Sequence, residues 1–329
     1  MKNMKAITIH EHGGLERIRL EEIPEPQPAE DEVLLDVRAA GLNHLDIWMR
    51  EGRRGVSVKM PHILGSDAAG IVVEAGSRVR GVSIGDEVIL NPGLSCGICE
   101  YCRRGEQSEC LSFGIVGLSR PGTFAERVAV PAVNVYAKPP HLDFAEAAAL
   151  PLSFLTAWRM LMTRARLKTG ETVLIHGIGG GVALAALKLA KLAGAAVIVT
   201  SSSDEKLSRA RSLGADHTVN YRSVKDVARL VREITSGRGV DIAFNTVGAA
   251  AWPVDFGVVR RGGRIVICGV TSGAEARTDL QALYWNQIEI LGSTMGSSED
   301  FRRMLAAVVA NKLKPVIDSV EPLERAKEA

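Results

Sequence analysis

No part of this chain constrains its fold more than residues 172–194, "TVLIHGIGGGVALAALKLAKLAG", which run from an apolar strand through a glycine-rich turn into a helix without a break. A strand as short and apolar as "TVLIH" belongs inside a sheet that is covered on both faces. The alternation then repeats. "AAVIVTS" leads into the helical "SDEKLSRARSLG", and "DHTVNY", "VDIAFNTVG", "GRIVICGV" and "QIEILGS" supply further strands, with helices such as "SVKDVARLVREITSG" between them. Apolar strands alternating with amphipathic helices predict a doubly wound α/β domain built on a parallel sheet.

The turn itself points to a ligand. Glycines at such a turn let the backbone approach a pyrophosphate, whose charge then lies at a helix N-terminus. A glycine-rich connection with no ligand is the alternative, but a strand before it, a helix after it and βαβ units around it are the context that a dinucleotide site requires. Gly177, Gly179, Gly180, Gly181 and Val182 are therefore expected to hold a dinucleotide, with Ala183 at the tolerated last glycine position.

The first half has a different character. "KAITI", "EVLLDVRAA", "GIVVEAG", "GDEVILN" and "FAERVAVP" are short runs bounded by Gly, Pro and Asp, and they predict a β-rich partial barrel. "GLNHLDIWMREG" is expected to form a short helix. Near Asp143 the pattern becomes helical, with Asp143 and Glu146 as a capping box. After "LGSTMG" one more helix, "SEDFRRMLAAVVANKL", precedes "PVIDSVEPLERAKEA", which reads as a chain stopping within a helix with a further strand to come. The expected division is a catalytic domain at 1–150, a nucleotide domain at 151–293, and a segment at 294–329 that returns to the first.

At 329 residues, two domains are the natural expectation. A formal net charge of +2 without a long run of like charge excludes the basic footprint of a nucleic-acid binder. No apolar stretch approaches the ~20 residues needed to span a bilayer, and the N-terminus lacks signal-peptide features. A cytoplasmic protein acting on a small molecule, with neither nucleic acid nor membrane as partner, is expected. In that compartment thiols stay reduced, so "CGICEYCRRGEQSEC", spaced C-x2-C-x2-C-x7-C, reads as a metal site rather than two disulfides. The fifth cysteine, Cys268, ends an apolar strand and reads as core.

As a whole the chain resembles the medium-chain dehydrogenase/reductase superfamily, the family of zinc alcohol dehydrogenases and quinone oxidoreductases. "AAGLNHLDIW", "GSDAAGIVVEAG", "GDEVILNPGLSCGICEYC", "GTFAERVAVP", "AAALPLSFLTAW", "LGADHTVNY" and "GGRIVICG" carry the resemblance in the family's order. It implies a GroES-like β-rich domain plus a Rossmann domain, and a homodimer or homotetramer. It also implies that Cys96, Cys99, Cys102 and Cys110, in a lobe at about 91–113, hold one structural zinc per subunit. Four thiolates fill a tetrahedral shell and leave no place for substrate.

The resemblance places the ligands of a catalytic metal at Asn43, Ser66 and Leu152, none of which suits zinc, with Asp67 as the single acid beside them. The family's proton-relay residues are Leu45 and Trp48 here. Without Lewis-acid polarisation, the expected acceptors are already electrophilic: quinones, or the β-carbon of an enone, enal or acrylyl thioester, reduced by hydride. An alcohol or aldehyde dehydrogenase and a non-enzymatic NADP(H)-binding protein are the alternatives. Asn43, His44, Asp46, Ser66, Asp67 and Thr156 are the candidate catalytic residues, although turn formation, helix capping and core packing compete for each. Asn245, Val270 and Asn286 lie at ends of segments that approach nicotinamide in the family, with ordinary loop residues as the competing reading. The expected cofactor is NADPH. Ser201, Ser202 and Ser203 replace the acid that holds a ribose 2′-hydroxyl, Lys206 supplies positive charge, Tyr221 and Arg222 follow the third strand, and Asp204 is expected to cap the next helix.

Overall fold

The computed structural model describes residues 2–52 and 58–329. The chain divides into two compact units, one formed by Met1–Ser153 with Gly296–Ala329, the other by Phe154–Met295.

The named strands of the first unit all pair antiparallel. Its main sheet has the order Val135–Ala137, Glu87–Leu90, Asp67–Ala75, Glu32–Gly41, Arg127–Pro131. Alternating residues Val33, Leu35, Ala68, Val72, Val88, Leu90, Val128 and Val130 turn one face into a common core. A second sheet, Arg19–Pro24, Asn3–Ile9 and His62–Ile63, and a two-stranded ribbon, Gly93–Leu94 with Gly114–Ile115, complete it. Register matters for function here: Gly41 pairs with Asp67, so Asn43, two residues beyond the strand end, is carried to Asp67. Asn43 is the N-cap residue of the short helix His44–Glu51, a helix that the sequence led us to expect.

The second unit is a Rossmann sheet of six parallel strands in the order His217–Asn220, Ala196–Ser201, Thr172–Ile175, Val240–Asn245, Val259–Ile267, Glu289–Gly292. Val240–Asn245 is buried at every position, and its two polar residues are satisfied there: Asp241 accepts from Thr172 N at 2.8 Å and Asn245 donates to Asp255 at 2.6 Å. The strand order reverses at Thr172–Ile175, and ligands of such sheets bind beyond the carboxyl ends at that switch.

Three local expectations need correction. The helix expected from Asp143 onward is broken into Phe144–Ala148 and Pro151–Trp158, then continues as a π-helical stretch Arg159–Arg164. Pro151 disfavours helical geometry at Leu150, which ends the first segment. The capping box survives, with Glu146 N donating to Asp143 Oδ1 at 2.7 Å. Asp204 is not a cap: Ser203 Oγ accepts from Lys206 N, and Asp204 accepts from Asn220 Nδ2 at 2.8 Å. The final segment forms only a 3-10 turn, Leu323–Arg325, where a helix was expected; Pro322 fixes the extended residue before it.

Candidate functional site

In the second unit the glycine turn lies at the switch point, between Thr172–Ile175 and the helix Gly181–Leu192. Gly177 has φ +67°, a conformation costly for any residue with a Cβ. Its N–H donates to Thr200 Oγ1 at 3.4 Å, and Ile178 N donates to Thr200 O at 3.0 Å, so the turn is tied to the neighbouring strand. Gly180 is the helix N-cap and no side chain caps it, which leaves the first helical N–H groups facing an exposed surface. The Lys206 side chain reaches this surface: a Cβ on Gly179 would stand 3.0 Å from its Nζ. Bare backbone donors at a helix N-terminus suit a pyrophosphate, and the ammonium beside them suits a further anionic group. Val182, the next residue of the helix, is half-buried.

Ser201, at the end of the second strand, is buried and its Oγ accepts from Ser203 N at 3.2 Å; Ser202 is half-buried. Tyr221 and Arg222 are exposed just past the third strand, with Tyr221 N donating to Ser201 O at 3.1 Å. The structure therefore gathers the serines, Lys206 and Tyr221 at the carboxyl ends of adjacent strands.

Asn245 ends the strand Val240–Asn245. It is fully buried, donating from Nδ2 to Asp255 Oδ2 at 2.6 Å and accepting at Oδ1 from Val247 N and Gly248 N. Its amide holds the loop rather than facing out of it. Val270 packs against that loop, since a Cβ on Gly248 would lie 2.8 Å from Val270 Cα. Asn286 bonds to Ala282 O and receives Arg261 Nε, as a loop residue would. Thr156 is buried, with its hydroxyl directed at Met295 Sδ, 3.8 Å away. Cys268 is only partly exposed, and burial pushes its thiol up to about 12. His176, Thr200 and Asp255 escaped the sequence reading, although a histidine closing an apolar strand directly before the glycines was a usable signal.

In the first unit the structure brings Asn43, Asp46, Ser66, Asp67 and Leu152 together. Asn43 Nδ2 donates to Asp67 Oδ2 at 3.0 Å, and Leu152 N donates to Asp67 Oδ1 at 3.0 Å. Burial pushes the Asp67 carboxyl up to about 8; the Asn43 bond opposes this, the nearby Asp46 adds to it, and the Leu152 N–H opposes it. Asp46 accepts from Asn43 N at 2.8 Å and Gly65 N at 3.2 Å, and burial still pushes it up to about 7. Its position is that of a capping residue. Ser66 is fully buried, and its Oγ has no hydrogen-bond partner among the described residues. His44 is exposed and meets the Trp48 ring edge-on at 4.8 Å, while Leu45 packs against the Ile9–Met49–Leu64 cluster.

The four cysteines of the lobe have their sulfurs within 4.8 Å of one another, with Cys96–Cys110 at 3.5 Å and Cys96–Cys102 at 4.0 Å. Zinc bound at ~2.3 Å to four thiolates would set sulfurs about 3.8 Å apart, so the donor set fits. Backbone donors converge on the cluster: Cys96 N and Ser112 N each point at Cys110 Sγ at 3.3 Å. Among the described residues this is the one cluster of three or more His, Cys, Asp or Glu side chains placed to hold a metal.

A Rossmann sheet with a glycine turn, joined in one chain to a GroES-like unit that carries a four-cysteine lobe, defines a pyridine-nucleotide oxidoreductase. Comparison with known proteins agrees: residues 29–140 match the alcohol dehydrogenase GroES-like domain, and residues 181–310 match the zinc-binding dehydrogenase family. The chain belongs to the medium-chain dehydrogenase/reductase superfamily. A crystal structure titled as an NAD-dependent alcohol dehydrogenase is 43% identical, with a TM-score of 0.94 over 99% of this chain and 94% of that one. The quinone oxidoreductase of Homo sapiens is 30% identical over 100% of this chain and 93% of its own length. A crotonyl-CoA carboxylase/reductase structure is 30% identical, with a TM-score of 0.93 over 99% of this chain and 84% of that one.

Proposed function

We propose that this protein is an NADPH-dependent reductase of quinones or activated alkenes that works without a catalytic metal. The observation that carries the proposal is the arrangement around Asp67. Positions where the family resemblance would put metal ligands hold Asn43, Ser66 and Leu152 instead, and two of them are bonded to Asp67. An Asn amide nitrogen has two hydrogens, so Asn43 keeps one to offer while the other anchors it.

When bound, NADPH supplies a hydride. Hydride addition at the β-carbon of an enone moves negative charge onto the conjugated oxygen, where the remaining Asn43 N–H is the donor that stabilises it. Asp67 fixes the direction of that donor. The glycine turn would hold the pyrophosphate. Lys206 and the serines would favour the 2′-phosphate, because the nearby Asp204 is already bonded to Asn220. The cysteine lobe would hold a structural zinc. Exposed Leu280, Tyr284 and Trp285, beside the sheet-edge strand Glu289–Gly292, support a homodimer or homotetramer. A second reading, alcohol oxidation with NAD, is favoured by the similarity to an NAD-dependent alcohol dehydrogenase.

Asn43→Ala tests the proposal. A lost oxyanion-type donor costs ~2.7–4 kcal/mol when fully engaged, roughly a hundredfold or more in rate, and a partly engaged one should still cost turnover on an enone roughly tenfold. Unchanged turnover would refute the role given to Asn43.

A further inference from the structure

We infer that the buried chain Thr200–His176–Asp255–Asn245 is a positioning unit that sets the glycine turn and the Val247–Gly248 loop in the geometry that binds the dinucleotide; the inference rests on the dinucleotide reading above. All four side chains are buried, Asn245 and Asp255 completely. His176 Nε2 lies 2.8 Å from Asp255 Oδ1, and Asn245 Nδ2 donates to the other carboxylate oxygen at 2.6 Å. At the far side, His176 Nδ1 lies 3.4 Å from Thr200 Oγ1.

The inferred arrangement assigns one direction to each bond. A carboxylate only accepts, so in this arrangement His176 carries its hydrogen on Nε2. Nδ1 is then an acceptor, which orients the Thr200 hydroxyl hydrogen toward it. The Thr200 oxygen is left to accept from Gly177 N–H. At the other end Asn245 Oδ1 takes the N–H groups of Val247 and Gly248, at 2.9 and 2.7 Å. Both ends of the chain are backbone N–H groups in loops at the carboxyl ends of strands. The second loop extends the reach further, because Val247 O accepts from Ser272 N and Ser272 Oγ at 2.8 Å, tying in the segment that carries Val270. Apolar residues would fill this core without the desolvation that a buried His–Asp pair entails. What the polar chain adds is a common, directional anchor for two loops.

The test uses the full-length protein and two probes: NADPH, which spans the turn, and 2′-AMP, which carries the ribose phosphate but no pyrophosphate. Thr200→Val removes the link to Gly177 with little change in volume. By the ~1–1.5 kcal/mol typical of one hydrogen bond, it should raise the NADPH Kd roughly five- to tenfold while 2′-AMP stays within about twofold. Thr200→Ser should restore NADPH binding. The 15N imidazole spectrum of the wild type should show His176 as the Nε2–H tautomer, which does not depend on any variant folding. A folded Thr200→Val that binds NADPH like wild type, a Ser variant that fails to restore it, equal loss of both probes, or an Nδ1–H tautomer would overturn the inference while leaving the dinucleotide reading in place. Wild-type protein that binds no dinucleotide would overturn both.

Discussion

Gly180→Ala separates a glycine required by the fold from one required by a ligand. Gly180 has φ −89° and ψ 149°, ordinary for any residue. A Cβ built there would meet nothing closer than Gly177 O at 3.8 Å, normal van der Waals distance. Gly177 offers no such test, because its positive φ strains any substitution. For Gly180→Ala, the poorer N-cap and the stiffer unfolded chain act in opposite directions, and stability should stay within ~1 kcal/mol of wild type. The new methyl stands on the surface that the pyrophosphate must approach. Displacing one charged hydrogen-bond partner costs ~1.5–3 kcal/mol, so dinucleotide affinity should fall roughly ten- to hundredfold. Nucleotide fluorescence titration measures the loss, and a thermal melt of the same sample verifies folding. A stable variant with wild-type affinity would show that the glycines serve only the turn.

Cys102→Ser should lower zinc content and melting temperature while changing the hydride step little, because the lobe holds a closed four-sulfur set; metal analysis and a melt read both, and two zincs per subunit in wild type would contradict the single site. Lys206→Glu should weaken NADPH more than NADH, and competitive titration with both cofactors would expose an error if NADH suffers equally. Asp46 and Asp67 are pushed up to about 7 and about 8, well above their unfolded value near 3.8. Their stabilising contribution is therefore complete below about pH 4 and is lost as pH rises through 7 to 8, by at most about 1.4 kcal/mol per pH unit for each group. Relative to Asp67→Asn, wild type should lose melting temperature from pH 5 to 9; a constant difference across that range would discredit the raised carboxyl.

Elements governed by local pattern were legible. The parallel strands appear as apolar runs because both faces are buried, and the cysteine spacing alone anticipates the sulfur cluster. The capping box at Asp143 and Glu146 and the short helix after Asn43 are likewise short-range features. Misreadings arose where long-range partners decide. Asp204 looks like a cap in sequence, but Asn220, sixteen residues on, claims its carboxylate while Ser203 caps the helix. For Asn245 the sequence shows only its place at a strand end, and its bonds to Asp255 and two backbone N–H groups are visible only in the fold. The bonds between Asp67 and its partners, and the whole His176 chain, depend on sheet register and strand order, which no window of sequence contains.

Initial rates of NADPH oxidation at 340 nm, measured side by side with conjugated enones and quinones and with simple ketones and aldehydes, test the central claim most directly. A reductase that relies on an Asn43 donor rather than a metal should consume NADPH with the conjugated acceptors and show negligible rates with the unconjugated ones. Rapid turnover of simple ketones or aldehydes, with the conjugated acceptors inert, would contradict it.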